Sequence, residues 1–300
     1  MGIPVKAQSD FVKPGSIGQP SVSNSSCTFT DFSTPLITCW VGQKILFLPQ
    51  SKDFQHFGYQ LFKRLGSESR TIPYEELAGK VGTITNVMQG YLHYDVTVVI
   101  DDTQKTYIGE AYGNEDRGYT IDGIALLREL QDARNALKGR TVWLSSYELG
   151  QYDDAKGKTS FLPTKGFRPT FVEDVVAGSF SFEPVRLIVK TESGAEGYVD
   201  ISYSGVNSGS VGKLFTFDKQ VSLVDPRKSH NWSSEVWVAI ENKKVIPGMT
   251  MEQVRFFLPQ NHTTDQTTTK DGLIEQWTFK SYGLVTFLNG TVSSFTTLGN

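Results

Sequence analysis

The apolar positions of this chain fall into short alternating runs, and these begin only after a long polar stretch. Residues 1 to about 36 are dominated by Ser, Pro, Gly and Thr, with Pro14-Gly15 and Ser21 to Ser26. They carry too little apolar surface to offset the entropy of ordering, and read as a disordered tail or linker. From Trp40 the runs have the length and composition of strands: Lys44 to Leu48, Gly82 to Val87, Tyr94 to Ile100 and Thr106 to Ile108. The polar stretch Asp101-Asp102-Thr103-Gln104 forms a hairpin turn between the last two. Residues 122–138 break this pattern. Ile124, Leu127, Leu130, Ala133 and Leu137 recur at steps of three or four, which predicts an amphipathic connector helix with Asp122 as its N-cap and Gly139 at its C-terminal end.

After residue 138 the strand pattern returns and repeats. Val41 to Phe47 matches Lys138 to Leu144, and Tyr94 to Ile100 matches Phe182 to Val189. Each second match leads through a polar turn into a strand containing Gly and Tyr, Tyr107-Ile108-Gly109 or Gly197-Tyr198-Val199. A period of about ninety residues suits a duplicated small domain better than a solenoid. Five or so short strands with tight turns close most simply as a small barrel. Residues 37–121 and 139–228 read as two such domains, and over roughly 38–115 and 139–225, in strand number, turn spacing and the Gly-x-x-Ile/Val strand that opens each unit, they resemble tandem Src-homology-3-like (SH3-like) barrels. That resemblance implies an aromatic-lined groove, for which Tyr107, Tyr112, Tyr198 and Tyr203 are the candidate binding residues. The alternative is that these rings cover the barrel ends.

Residues 229–300 change character. Val236, Trp237 and Ile240 have helical spacing after Ser233, and a second helix is signalled by Thr250 and Gln253, the ends of a capping box, followed by Val254, Phe257 and Leu258. Pro259 stops it. A meander follows through Thr267 to Lys270, Ile274 to Lys280, Gly283 to Leu288 and Thr291 to Phe295, with Asn289-Gly290 as the strongest hairpin signal. Ile246-x-Gly248-Met249-Thr250-x-x-Gln253-Val254, Glu275-Gln276-Trp277-x-Phe279 and Val285-x-Phe287-x-Asn289-Gly290-x-Val292 resemble the SmpA/OmlA family, which includes BamE-like outer-membrane lipoproteins. The resemblance covers about 235–297. It implies two helices on a three-stranded antiparallel sheet, and an interaction or scaffolding role at a bacterial cell envelope. Where family members commonly have Gly-x-Pro after the second helix, this chain has Leu258-Pro259-Gln260. Each motif residue also has a sufficient structural role: Gly248 and Asn289-Gly290 in turns, Thr250 and Gln253 in capping, and Met249, Val254, Trp277 and Phe287 in the core.

Composition narrows the function. With 29 Lys and Arg against 32 Asp and Glu, the formal charge of −3 supplies no reason to expect a nucleic-acid partner. No apolar run approaches the ~18–20 residues that span a bilayer, so no transmembrane segment is expected. Val5 to Ser9 looks like the end of an export signal. Cys27 and Cys39, the only cysteines, flank a Ser/Thr/Pro-rich segment that a disulfide could clamp; two unrelated thiols is the other reading. Neither reading makes a metal site.

The chain contains no His-Glu-x-x-His, no Gly-x-Ser-x-Gly and no Gly-x-Gly-x-x-Gly. His56, His93, His230 and His262 stand apart, and the pairs Glu75-Glu76, Asp101-Asp102 and Asp153-Asp154 are adjacent residues, which in a strand point to opposite faces. The sequence therefore reads as a multi-domain, mainly β protein with an α+β part: a tail, two SH3-like barrels joined by a helix, and a BamE-like domain. The expected function is non-catalytic binding or scaffolding outside the cytoplasm, with a protein or cell-wall glycan as partner, no cofactor and no metal. Its rivals are a wall-directed hydrolase with a cleft between domains and a cytoplasmic regulatory module.

Overall fold

A computed structural model describes residues 36–69, 71–114, 118–153, 158–207, 209, 216–258 and 262–297. The protein is mainly β, and its described residues divide into two compact units, one within residues 36–142, 149–162 and 170–221, the other within 143–148, 163–169 and 222–297.

The first unit opens with β1 (Lys44–Phe47), α1 (Lys52–Gln55), β2 (Tyr59–Gln60), β3 (Phe62–Arg64), β4 (Thr71–Ile72) and α2 (Tyr74–Leu77). It continues with β5 (Val81–Gln89), β6 (Tyr94–Ile100), β7 (Thr106–Asn114), β8 (Gly118–Ile121), β9 (Ile124–Leu126) and α3 (Leu127–Leu137). The repeated half supplies β10 (Thr141–Leu144), β11 (Glu148–Asp153), β12 (Lys158–Pro163), β13 (Pro169–Phe180), β14 (Glu183–Thr191), β15 (Glu196–Ile201), α4 (Phe217–Gln220) and β16 (Val221–Ser222). The first sheet runs β3-β7-β6-β5-β1-β9 with β8 on β7, and the second runs β12-β11-β15-β14-β13-β10-β16. From β7 to β9 and from β15 to β16 the two orders correspond strand for strand, so the repeat in sequence is a repeat in topology. The bulges correspond too. One falls between Ile84 and Asn86 where β5 pairs β6, the other between Val172 and Asp174 where β13 pairs β14. An extra residue at the same point bends each long hairpin and lets a short sheet curl over its own core.

The first core is built by the inward positions of these strands, among them Ile45, Phe47, Phe62, Ile84, Val96, Val98 and Tyr107, with Trp40 closing one end. The connector helix differs from its expectation. Ile124, Ala125 and Leu126 are all buried and extend as β9 along β1, so the helix begins at Leu127 with Leu126 at its cap position. Asp122 instead accepts from Gly123 N–H and Ser181 Oγ, both at 2.9 Å. The buried stripe of α3 is Glu129, Ala133 and Leu137, and the helix packs on β1, β9 and β14. Glu129 Oε1 accepts from the backbone N–H groups of Ser204 and Tyr203 at 2.7 and 3.2 Å, so the segment after β15 is tied to the helix.

In the second unit α5 (Ser234–Glu241) and α6 (Met251–Phe257) accompany a meander of β17 (Thr263–Thr269), β18 (Gly272–Phe279), β19 (Gly283–Leu288) and β20 (Thr291–Thr297) in sequential antiparallel order. The sheet has four strands rather than three, because the polar run before Asp271 pairs along its whole length with β18. Ser233 caps α5 by accepting from Val236 N–H, and Thr250 and Gln253 form the reciprocal capping box of α6. Trp277, Phe287, Met249 and Val254 are fully buried in one core with Trp237 and Ile240. Gly248 adopts φ +88°, and Asn289 and Gly290 adopt φ +50° and +82°, the left-handed pair that a two-residue hairpin turn needs. Pro259, expected to end α6, lies outside the described residues. Among the described residues no helix is long and apolar enough to cross a membrane.

Candidate functional site

Between β1 and β2 the chain leaves the first sheet for α1 and passes through Gly58 into β2, which pairs with β4. This excursion builds an open cleft of about 270 Å³ lined by Gln50, Phe54, Phe57, Gly58, Tyr59, Gln60, Asp122 and Gly123. A helix of one turn cannot bury its own apolar residues, and Phe54 within it and Phe57 in the turn after it remain 56% and 46% exposed with ring centroids 6.3 Å apart. The His56 ring lies against Phe57 at 3.8 Å. Beneath them the wall is held firmly: Gln50 Nε2 donates to the Gly58 carbonyl at 3.1 Å, Gln55 Nε2 to the Gln50 carbonyl at 2.9 Å, and the buried Tyr59 hydroxyl to the Leu48 carbonyl at 2.6 Å.

Two acceptors in this lining are uncommitted among the described residues. Gln50 Oε1 is buried without a hydrogen-bond partner. Asp122 uses only Oδ1 for Gly123 and Ser181, which leaves Oδ2 open on an exposed side chain. Ser181 occupies the turn between β13 and β14, flanked by Phe180, 48% exposed, and Phe182, whose rings stack at 5.5 Å. A second aromatic pair therefore stands one hydrogen bond from the cleft. A flat apolar rim beside the open Asp122 acceptor suits a ligand with one apolar face and O–H donors.

Gly58 shows how tightly the wall is made. Its φ is +63°, and a Cβ there would sit 2.2 Å from the Ile72 carbonyl oxygen. Gly58→Ala is expected to destabilise the first unit by about 2–4 kcal/mol, since strain and overlap add. An unchanged urea midpoint would show instead that the loop simply moves aside.

The four tyrosines expected to line grooves each make contacts within the protein. Tyr107 is 1% exposed in the core, and its hydroxyl donates to Glu76 Oε1 at 2.6 Å, so its ring is not available to a ligand. Tyr112 is 39% exposed beside the His93 ring, with its hydroxyl donating to Glu110. Tyr198 carries the Arg186 guanidinium 3.8 Å above its ring, and Arg186 grips Asp200 through two bonds of 2.7 and 2.8 Å. Tyr203 packs edge-on against Phe217 at 5.2 Å. The exposed rings that do border the cleft, Phe54 and Phe57, lie in the stretch between the first two predicted strand runs, to which no site was assigned from sequence. Two exposed aromatics within four residues were the available signal.

The remaining polar groups are structural in arrangement. Glu76 accepts from Arg64 and from Tyr107, and these bonds hold its carboxyl down to about 2. Asp101 is paired with Lys44 at 2.5 Å and Asp102 with Lys80. His230 sits among Trp232, Trp237 and Phe256, and His262 lies on Trp277 at 4.4 Å. Asp154 lies outside the described residues, as does the side chain of Asp153. Among the described residues no group of three His, Cys, Asp or Glu side chains could hold a metal ion. Cys39 is disulfide-bonded; Cys27, the only other cysteine of the chain, lies outside the described residues. No family model, curated protein or solved structure matches the chain.

Proposed function

We propose that this protein is a non-catalytic binding protein of the cell envelope, whose first unit grips a neutral glycan of the cell wall in the cleft beside Phe54 and Phe57. The observation that carries the reading is the pairing of exposed rings with an open acceptor, Asp122 Oδ2. Sugar rings offer an apolar C–H face to an aromatic plane and hydroxyl donors to carboxylate and amide oxygens. A Pro-rich peptide, the other occupant of aromatic grooves, has no N–H at its prolines to satisfy those acceptors. Hydrolysis by a pair of carboxylates would need a second one in the cleft, and the lining holds Asp122 alone. The disulfide at Cys39 favours an oxidising compartment over the cytoplasm. The two duplicated sheets are read here as SH3-like barrels. The second unit, with its capped helices and meander, is read as a scaffold domain of the SmpA/OmlA kind, on the strength of its motif residues and with one strand more than that family implies.

Calorimetric titration with a soluble fragment of a β-1,4-linked N-acetylhexosamine glycan tests this. The intact protein is expected to bind, Phe57→Ala and Phe54→Ala each to weaken binding roughly tenfold, and Asp122→Asn to weaken it while Asn keeps an acceptor for Ser181. Absence of binding, equal affinity in the Phe variants, cleavage of the glycan, or preference for a Pro-rich peptide would each overturn the proposal.

A further inference from the structure

The outer edge of the four-stranded sheet is unlike its other edge. At β20, Gly248 N–H donates to the Val292 carbonyl at 2.9 Å, Val292 N–H donates to the Met249 carbonyl at 2.7 Å, and the strand carries a register shift near Phe287. That edge is covered and bent. Among the described residues β17 has neither protection. It pairs with β18 over seven consecutive residues without a bulge, contains no Pro or Lys, and is exposed on both faces from Thr263 through Thr268. Natural sheets rarely leave a long flat edge of β-branched residues in that state unless another strand is to join it.

The register shows which backbone groups are open. Thr269 and Gly272 close a two-residue turn, so they are a hydrogen-bonded pair, and Thr267, Asp265 and Thr263 follow them in alternation. The N–H and C=O groups of Thr264, Gln266 and Thr268 therefore point away from β18. No backbone hydrogen bond outside the β18 pairing involves them among the described residues.

We infer that β17 is a self-association surface on which a second copy of this chain pairs antiparallel about a two-fold axis at Gln266. In that arrangement Thr264 faces Thr268 of the second copy, Gln266 faces its own counterpart, and all three open positions are used, giving about six main-chain hydrogen bonds. Asp265, the only charged residue of the strand, then faces Thr267 of the second copy in the closer, non-hydrogen-bonded pairing, where a threonine hydroxyl can donate to the carboxylate. No like charges oppose each other directly. An unrelated strand would have no reason to match this order of Thr, Asp, Gln and Thr, whereas the strand matches itself.

The test is the mass of the full chain in solution by sedimentation equilibrium across a wide concentration range, with two variants at an exposed position. The intact protein is expected to pass from 33.4 kDa towards twice that mass as concentration rises. Thr267→Asp sets a carboxylate opposite Asp265 twice and is expected to leave only monomer. Thr267→Lys sets an ammonium there twice and is expected to tighten the dimer roughly two- to tenfold at low salt. A monomer at every concentration overturns the inference. So does an equal effect of the Asp and Lys variants, because a register that sets residue 267 opposite Asp265 makes them opposite in sign.

Discussion

Replacing Asn207 with alanine is expected to lower the stability of the first unit by about 3–5 kcal/mol, the largest loss from any single polar side chain in it. Asn207 is 1% exposed and fully satisfied: its Oδ1 accepts from Ile121 N–H at 2.8 Å, and its Nδ2 donates to the Ile121 and Ile124 carbonyls at 3.0 and 2.8 Å. These backbone groups lie at the corner between β8 and β9, where no strand neighbour serves them. Truncation strands three buried polar groups at once, and each costs roughly 1–3 kcal/mol when left unmade, with some relief from water entering the gap. Asn207→Asp separates hydrogen bonding from packing. At neutral pH its carboxylate keeps the bond from Ile121 N–H but turns an acceptor towards two carbonyls, so it is expected to be at least as damaging as alanine. Its stability should partly return on acidification, when a protonated carboxyl can donate to one carbonyl. Thermal denaturation of the three proteins at two pH values reads this directly, and a midpoint for Asn207→Ala within a degree or so of the parent would refute the role.

Glu183→Gln is expected to do the opposite and stabilise the protein above neutrality. Burial pushes the Glu183 carboxyl up to about 7, the nearby Asp200 charge adds to this, and a hydrogen bond from Gln220 Nε2 at 2.5 Å opposes it. Because the folded chain holds this proton more tightly than the unfolded one, its contribution to stability is fully present below the ordinary glutamate range. It is lost as pH rises towards 7. Glutamine can still accept from Gln220 and carries no charge to desolvate. After discounting for partial exposure, the gain at pH 8 is about 2 kcal/mol, shrinking to little at pH 5. Glu76 bends the profile in the other sense. Its carboxyl is held near 2 by Arg64 and Tyr107, so its contribution is present above the ordinary range and is lost as pH falls towards 2. Urea midpoints of parent and Glu183→Gln from pH 5 to pH 8 should diverge as pH rises; parallel curves would remove Glu183 as the cause.

Local pattern dictates structure where a device is complete within a few neighbouring residues, and stops where a distant partner decides. Thr250 with Gln253 and Asn289 with Gly290 are short-range devices, complete within four residues, and each has in the fold the local geometry its chemistry requires. The ninety-residue repeat was likewise readable as matching strand runs, and it reappears as two matching strand orders. Ile124, Ala125 and Leu126 mark the limit. An apolar triplet satisfies a helix stripe and a buried strand equally, and the open edge of β1, more than seventy residues earlier, decided for the strand. Tyr107 was a plausible groove residue by position and became core because the inward phase of β7 carries it there.

Sequence by itself determined that this chain is mainly β, internally duplicated, and closed by capped helices and a meander, because those properties follow from periods and turns that neighbouring residues define. The cleft was decided only in three dimensions. Phe54 comes from a one-turn helix and Phe57 from the turn after it, Asp122 from a corner more than sixty residues on, and Ser181, bonded to Asp122, from a hairpin in the second repeat. No periodicity links such segments, and only the burial of two curled sheets in one unit brings them together. Glu129 and Asn207 belong to the same category: polar residues that read as surface in sequence and are buried because distant backbone groups, left without strand partners, need them.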